Sequence, residues 1–296
     1  IFMKIIDTLM YFDEDIILDI RLNTLNKFVS KFIICEAKFN HNGIKKNLKF
    51  NINNFRKFEN KIEYLVLEDQ PKNLFEIKDN EPINIRNSKI LDNALMRENF
   101  QRNYCYKRLK DFSEDDLVMI NDLDEIPNLE NFTYEGKITI FMQKMYYYKL
   151  NLQYPKFNWT GSRICKIKDL QSPQWLRNIK PKNYPLWRLD TFFSKKKYTN
   201  IKFVKEGGWH FTNIKNARDL DFKMRNFLHH LEYEKSGLNL FDLEKLIKNK
   251  QIMYDHKADK TDQNKWKSSK KLEKVELSTL PNYIQENSSK LNQWLD

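Results

Sequence analysis

The chain reads as an α/β protein, a mostly parallel sheet with helices on both faces. Two observations predict this. Three short, wholly apolar runs alternate with helical periodicity, as strands buried on both faces do. Each run also stops at acidic or polar residues, the texture expected where strands open onto a ligand crevice.

Taking the elements in order, Leu18, Leu22, Leu25 and Val29 recur at helical spacing, with Ile17 and Phe28 widening the stripe, so 14–29 is expected to be a helix. The run Phe32-Ile33-Ile34-Cys35 follows as a buried strand ending at Glu36. A second run, 62–67, ends at Glu68-Asp69, and a third, Leu117-Val118-Met119-Ile120, ends at Asn121-Asp122. A helix over 89–110 separates the second and third runs. Glu36, Asp69 and Asp122 are therefore expected to converge on one crevice. Beyond Pro127, the stretches 137–152, 162–167 and 203–212 read as strands. A helix over 216–235 follows, with Leu220, Met224, Phe227 and Leu231 on one face. The polar, basic stretch 256–274 reads as a mobile linker, and 280–295 as a helix folded back onto the body.

Composition narrows the class. With 296 residues, 41% hydrophobic and 14% aromatic, the chain is globular and long enough for one large domain or two small ones. Six glycines argue against a repeat architecture. A net charge of +12 reflects solvated lysines or a basic surface drawn to an anion: nucleic acid, a membrane or a sugar nucleotide. Cys35, Cys105 and Cys165 are odd in number, widely spaced and set among apolar neighbours, which suits buried reduced thiols better than disulfides or zinc. No apolar run approaches the roughly 20 residues of a membrane span, and no secretory segment opens the chain. Met3 reads as the natural start. The expected compartment is the cytoplasm.

Chemistry concentrates in Asn121-Asp122-Leu123-Asp124-Glu125-Ile126-Pro127. In extended chain, Asp122 and Asp124 point to one side and would face one Mg²⁺ or Mn²⁺, a cation that takes carboxylate oxygens and bridges to substrate phosphates. The alternative is an acidic turn that caps the next helix. On the preceding helix Glu98 and Arg102 interrupt an apolar stripe. They form either a buried i,i+4 ion pair or, with Gln101, a hold on a nucleotide. In Glu206-Gly207-Gly208-Trp209-His210-Phe211, two glycines let the backbone approach a ligand, and His210 is a core histidine or a metal ligand.

Four ordered blocks resemble the family-17 glycosyltransferases. They are Asp19-Ile20-Arg21 with Phe32-Ile33-Ile34-Cys35-Glu36-Ala37, then Phe39, Gly43 and Leu48-Lys49-Phe50; Arg97-Glu98-Asn99-Phe100-Gln101-Arg102-Asn103; Asp122 through Pro127; and Gly208-Trp209-His210-Phe211. The resemblance implies an inverting enzyme of GT-A fold that moves a sugar, N-acetylglucosamine, from a UDP-sugar to a glycan hydroxyl. It implies that Asp122, Asp124 and His210 hold the metal, Mn²⁺ or Mg²⁺, and that Glu36, Asp69, Arg102, Gln101, Asp122 and Arg21 bind the nucleotide-sugar. Trp209 and Glu125 would line the sugar or acceptor pocket. The donor half would span about 3–127 and the acceptor half 128–255, with 256–296 appended. Unlike the animal members, the chain shows no membrane anchor, so their glycoprotein acceptor does not carry over. Inversion needs a base for the acceptor hydroxyl, and the candidates are Glu206 and then Glu232.

Two rival classes remain. A nucleic-acid binder would cluster its cations on one face, whereas the clearest cluster here is Lys265, Lys267, Lys270 and Lys271 around Trp266. No nucleic-acid partner is therefore expected. A metal-dependent hydrolase of sugar nucleotides would use the same acidic crevice.

Overall fold

A computed structural model describes residues 3–185, 187–191, 193–258, 265–266 and 268–296. Its first half runs β1 (Ile5–Tyr11), α1 (Asp15–Leu25), β2 (Lys31–Ala37), β3 (Ile62–Leu67), α2 (Ile83–Tyr104), α3 (Tyr106–Leu109), β4 (Leu117–Ile120) and β5 (Glu125–Pro127). Then come β6 (Ile138–Tyr147), β7 (Leu152–Lys166), α4 (Pro173–Asn178), β8 (Ile201–Val204) and β9 (Gly208–Thr212). The chain closes with α5 (Ala217–Asn226), α6 (His230–Ser236), α7 (Leu240–Lys248), β10 (Glu273–Lys274) and α8 (Asn282–Glu286).

One mixed sheet joins these strands in the order β3-β2-β1-β4-β7-β6-β9-β5, with β10 on β7 and β8 on β6. The four strands β3, β2, β1 and β4 are parallel. β7 then runs antiparallel to both β4 and β6. β8 and β9 share one side of β6, pairing with its first and second halves.

The parallel half is covered on both faces, which is why its strands are apolar throughout rather than alternating. Phe32, Ile34, Leu117 and Met119 point into a core beneath α1, together with Leu18 and Leu22. Ile33, Cys35, Val118 and Ile120 point the other way, into a core with Cys105, Leu109 and Leu176. A third core gathers Tyr147, Tyr154, Leu220, Met224, Tyr233 and Leu243 under α5–α7. All three cysteines are buried and unbridged.

Several expectations change. The central strand β1 is absent from the sequence reading because Asp7 and Thr8 interrupt its apolar run; both are buried. The stretch 137–152 is a strand plus a turn, with Tyr148 at φ 62° reversing the chain into β7. The stretch 203–212 splits likewise into β8 and β9, and the helix over 216–235 breaks at Phe227, whose backbone is extended. The C-terminal helix shrinks to α8, and Leu280, Ile284 and Leu291 enter the core beneath α1. Much of the expected linker, 259–264 and 267, lies outside the described residues.

Candidate active-site cleft

At the carboxyl ends of β1, β2 and β4 a cleft of about 280 Å³ opens, walled on its far side by β7, β9 and α5. Asp122, Asp124, His210 and Gln101 all line it. The acidic residues arrive there by a turn rather than an extended strand: the Glu125 amide donates to the Asp122 carbonyl at 3.1 Å. The Asp122 amide donates back to Glu125 Oε2 at 3.0 Å.

The turn is held from below by Arg21. Its guanidinium is fully buried and takes both oxygens of Asp7 at 2.7 Å. Its third nitrogen donates to the carbonyls of Leu123 at 3.2 Å and Glu125 at 2.6 Å. Arg21 thus reads the backbone of the turn and does not reach the cleft, and Asp7 in mid-strand exists to neutralise it.

From the side, two arginines grip the carboxylates. Arg102 donates to Asp122 Oδ1 at 2.9 Å and to Glu98 Oε1 at 2.7 Å. The i,i+4 pair is present, and the guanidinium is engaged by Glu98 and Asp122 and does not line the cleft where a nucleotide is expected. Arg177, on α4, donates to Asp122 Oδ2 at 2.9 Å and forks onto both oxygens of Glu125. Burial pushes the Asp122 carboxyl up, but Arg177 and Arg102 together bring it well below the usual carboxylate range. Glu125 also accepts from Trp159 Nε1 at 2.6 Å and is fully buried. It is a keystone beneath the cleft wall.

Asp124 is held differently. Its Oδ1 lies 3.3 Å from His210 Nε2, and no arginine touches it among the described residues. β9 pairs antiparallel with β5, setting His210 opposite Glu125 and fixing the ring beside the turn. Burial lowers the His210 imidazole, yet Asp124, Glu125 and Asp122 raise it on balance. Its Nδ1 is buried without a partner, as are His41 Nδ1 and Asn40 Oδ1 at the same cleft. Buried polar atoms without partners are rare in folded proteins, and a ligand would satisfy these. Among the described residues no set of three or more His, Cys, Asp and Glu side chains converges to hold a metal ion.

Other expected residues lie elsewhere. Glu36 shares the α1-side face of β2 with Phe32 and Ile34, and its carboxylate is taken up by the amides of Lys49 and Phe50, the hydroxyl of Tyr64 and the ammonium of Lys46. It ties the following loop to the sheet, and Phe39, Asn40 and His41 occupy the cleft instead. Asp69 is exposed beyond β3. Trp209 alternates with His210 along β9, so its indole points to the opposite face and donates to the Thr279 carbonyl at 2.8 Å. Glu206 is exposed and paired with Lys144 at 2.6 Å. Glu232 reaches the cleft only through His229, whose Nδ1 is 3.2 Å from Glu232 Oε1 and which lines the cavity.

Sequence reasoning missed Arg177, Trp159, Tyr254 and His256; the pair His229-His230 beside Glu232 was visible near a helix end but carried no specific spacing. Arg177 sits on a six-residue helix, Trp159 on β7, and Tyr254 and His256 in the loop after α7, none with a motif of its own. His256 packs among Tyr147, Tyr154, Phe157, Trp159 and Tyr254, its ring centroid 4.2 Å from that of Tyr254. Burial pushes its imidazole down to about 3. The lysine cluster around Trp266 is partly taken up by ion pairs. Trp266 is buried against Tyr233 and Tyr254, Lys265 and Lys270 pair with Glu232 and Asp255, and Lys267 lies outside the described residues.

At the strand ends an acidic turn and a histidine line one cleft, and two buried arginines brace the turn from outside it. A model of glycosyltransferase family 17 matches residues 2–295, and the chain belongs to that family. It is therefore a glycosyltransferase, working on a glycosyl donor and an acceptor. No curated protein matches the chain. Among the described residues no helix is long and apolar enough to cross a membrane.

Proposed function

We propose that the enzyme is an inverting, metal-assisted transferase of GT-A type that moves N-acetylglucosamine from UDP-N-acetylglucosamine to a glycan hydroxyl. The observation that carries this reading is the placing of Asp122, Asp124 and His210 in one cleft at the carboxyl ends of parallel strands. The donor half, about 3–127, supplies the acidic turn, and the acceptor half, 128–255, supplies His210 and the far wall.

Asp124 Oδ1 and His210 Nε2 stand 3.3 Å apart, and Mn²⁺ would take the carboxylate oxygen first, with the imidazole, once neutral, as a further ligand. Two protein ligands suit a cation whose remaining positions go to diphosphate and water. Asp124 and His210 would hold it; when bound, it neutralises charge on the departing diphosphate. Asp122 remains with Arg102 and Arg177, and this clamp keeps the turn in one shape while the donor enters. Gln101 is anchored to the Cys35 carbonyl at 2.9 Å and faces His41, and both line the cleft that the donor would enter.

The acceptor hydroxyl must lose a proton as its oxygen attacks the anomeric carbon and the carbon–oxygen bond to the diphosphate breaks. Of the two glutamates considered, Glu232 is the one with a route to the cleft. We assign the proton to His229, with Glu232 fixing the ring and stabilising the imidazolium that forms. The test is product analysis with labelled UDP-N-acetylglucosamine and Mn²⁺ over a panel of glycan acceptors. The expected result is acceptor-dependent transfer, with kcat reduced about a hundredfold in His229→Ala while donor affinity is retained. Full-rate release of free sugar without acceptor would make the enzyme a hydrolase, and activity with GDP- or CMP-sugars alone would overturn the donor.

A further inference from the structure

Between α4 and β8 the chain forms a loop whose described residues do not line the cleft. Its stem is tied by backbone bonds from Lys180 to Lys196 and from Tyr184 to Tyr198, and Asn183 bonds both backbone groups of Ile201. Tyr184 is buried at the base. Beyond this stem the loop turns three large apolar side chains outward: Trp187 is 78% exposed, Leu189 73% and Phe193 91%. None of them lines the cleft.

Their surroundings are strongly basic. Between 180 and 202 stand seven lysines and arginines and one aspartate. That aspartate, Asp190, is engaged by Arg188 and Lys197. Lys180, Lys195 and Lys196 are exposed and have no ion-pair partner among the described residues. Apolar side chains this exposed are unfavourable in water unless something covers them, and grouping them marks an interaction surface. A tryptophan, a leucine and a phenylalanine exposed on one loop and flanked along the chain by lysines match the two attractions of an anionic bilayer: burial of apolar groups at the acyl boundary and charge at the headgroups.

We propose that this loop docks the enzyme peripherally on a membrane containing anionic lipid, inserting Trp187, Leu189 and Phe193 while the flanking lysines meet the headgroups. Nucleic acid would use the same lysines but has no apolar phase to receive Leu189 and Phe193. The proposal is independent of donor and metal.

The test is co-sedimentation of the full chain with vesicles of phosphatidylcholine alone and of phosphatidylcholine mixed with phosphatidylglycerol. Binding is expected to the mixed vesicles and to be weaker by about tenfold or more on the neutral ones. The triple variant Trp187→Ser, Leu189→Ser, Phe193→Ser should lose binding by at least about tenfold with its melting temperature unchanged. Should that variant unfold, Phe193→Ser alone makes the same comparison. Lys195→Glu with Lys196→Glu should also release the protein. Failure to bind anionic vesicles would overturn the proposal, as would apolar variants that bind like wild type. Tighter, salt-sensitive binding to single-stranded RNA that depends on the same residues would overturn it in favour of nucleic acid.

Discussion

Arg21 shows how one buried residue can shape a site it does not touch. Its charge is matched by Asp7, and its third nitrogen reaches the carbonyls of the acidic turn. Removing it leaves Asp7 buried and uncompensated, a loss of about 3–5 kcal/mol. Arg21→Ala is therefore expected to lower the melting temperature by on the order of 10 °C. Arg21→Met combined with Asp7→Leu should recover much of this, because the desolvated charge leaves with its partner. A single variant as stable as wild type in thermal unfolding would contradict the role. The sequence displayed the acidic residues 122–125 and the Glu98–Arg102 pair because their spacing is local, but not the turn that carries the former. It hid Arg177 and the Arg21–Asp7 pair, since a lone cation in a short helix or an Asp in a strand carries no pattern until the tertiary partner is known.

At the scale of elements, the apolar runs at β2, β3 and β4 were legible because burial on both faces leaves little choice of residue. β1 was obscured by the very pair that stabilises the turn. Alternation decided two site residues: the period of two that brings His210 to the cleft sends Trp209 away, and on β2 it turns Glu36 toward the α1-side core. The β5–β9 pairing depends on Gly208, whose φ is +122° and whose missing Cβ would lie 2.2 Å from the Ile126 carbonyl oxygen. Gly208→Ala is expected to cost about 2–4 kcal/mol and to displace Glu125 and His210 together. Denaturant unfolding measures the first effect. Turnover at a temperature where the variant is folded measures the second, and wild-type values for both would show that the strands do not need this approach.

At the scale of the molecule, three cores meet around one cleft, and acid stability follows from what is buried there. His256 is neutral in the folded protein down to about pH 3, whereas the unfolded chain binds a proton near the ordinary histidine value of about 6.5. Its contribution is therefore present above that value and lost progressively as pH falls toward about 3. Wild type should lose stability from pH 7 to pH 5 more steeply than His256→Phe in chemical denaturation; equal slopes would place the acid sensitivity elsewhere.

The central claim is that Asp124, left free of arginine, is the carboxylate that engages the metal and the donor diphosphate. Asp124→Asn replaces an anionic oxygen by an amide of nearly equal size, so packing is preserved while the charge goes. The decisive measurement is calorimetric titration of Mn²⁺ with UDP into this variant, alongside its turnover and melting temperature. The account predicts a variant that still unfolds cooperatively, with Mn²⁺-dependent UDP binding abolished and transfer reduced by on the order of a hundredfold or more. Wild-type binding and turnover in Asp124→Asn would contradict it.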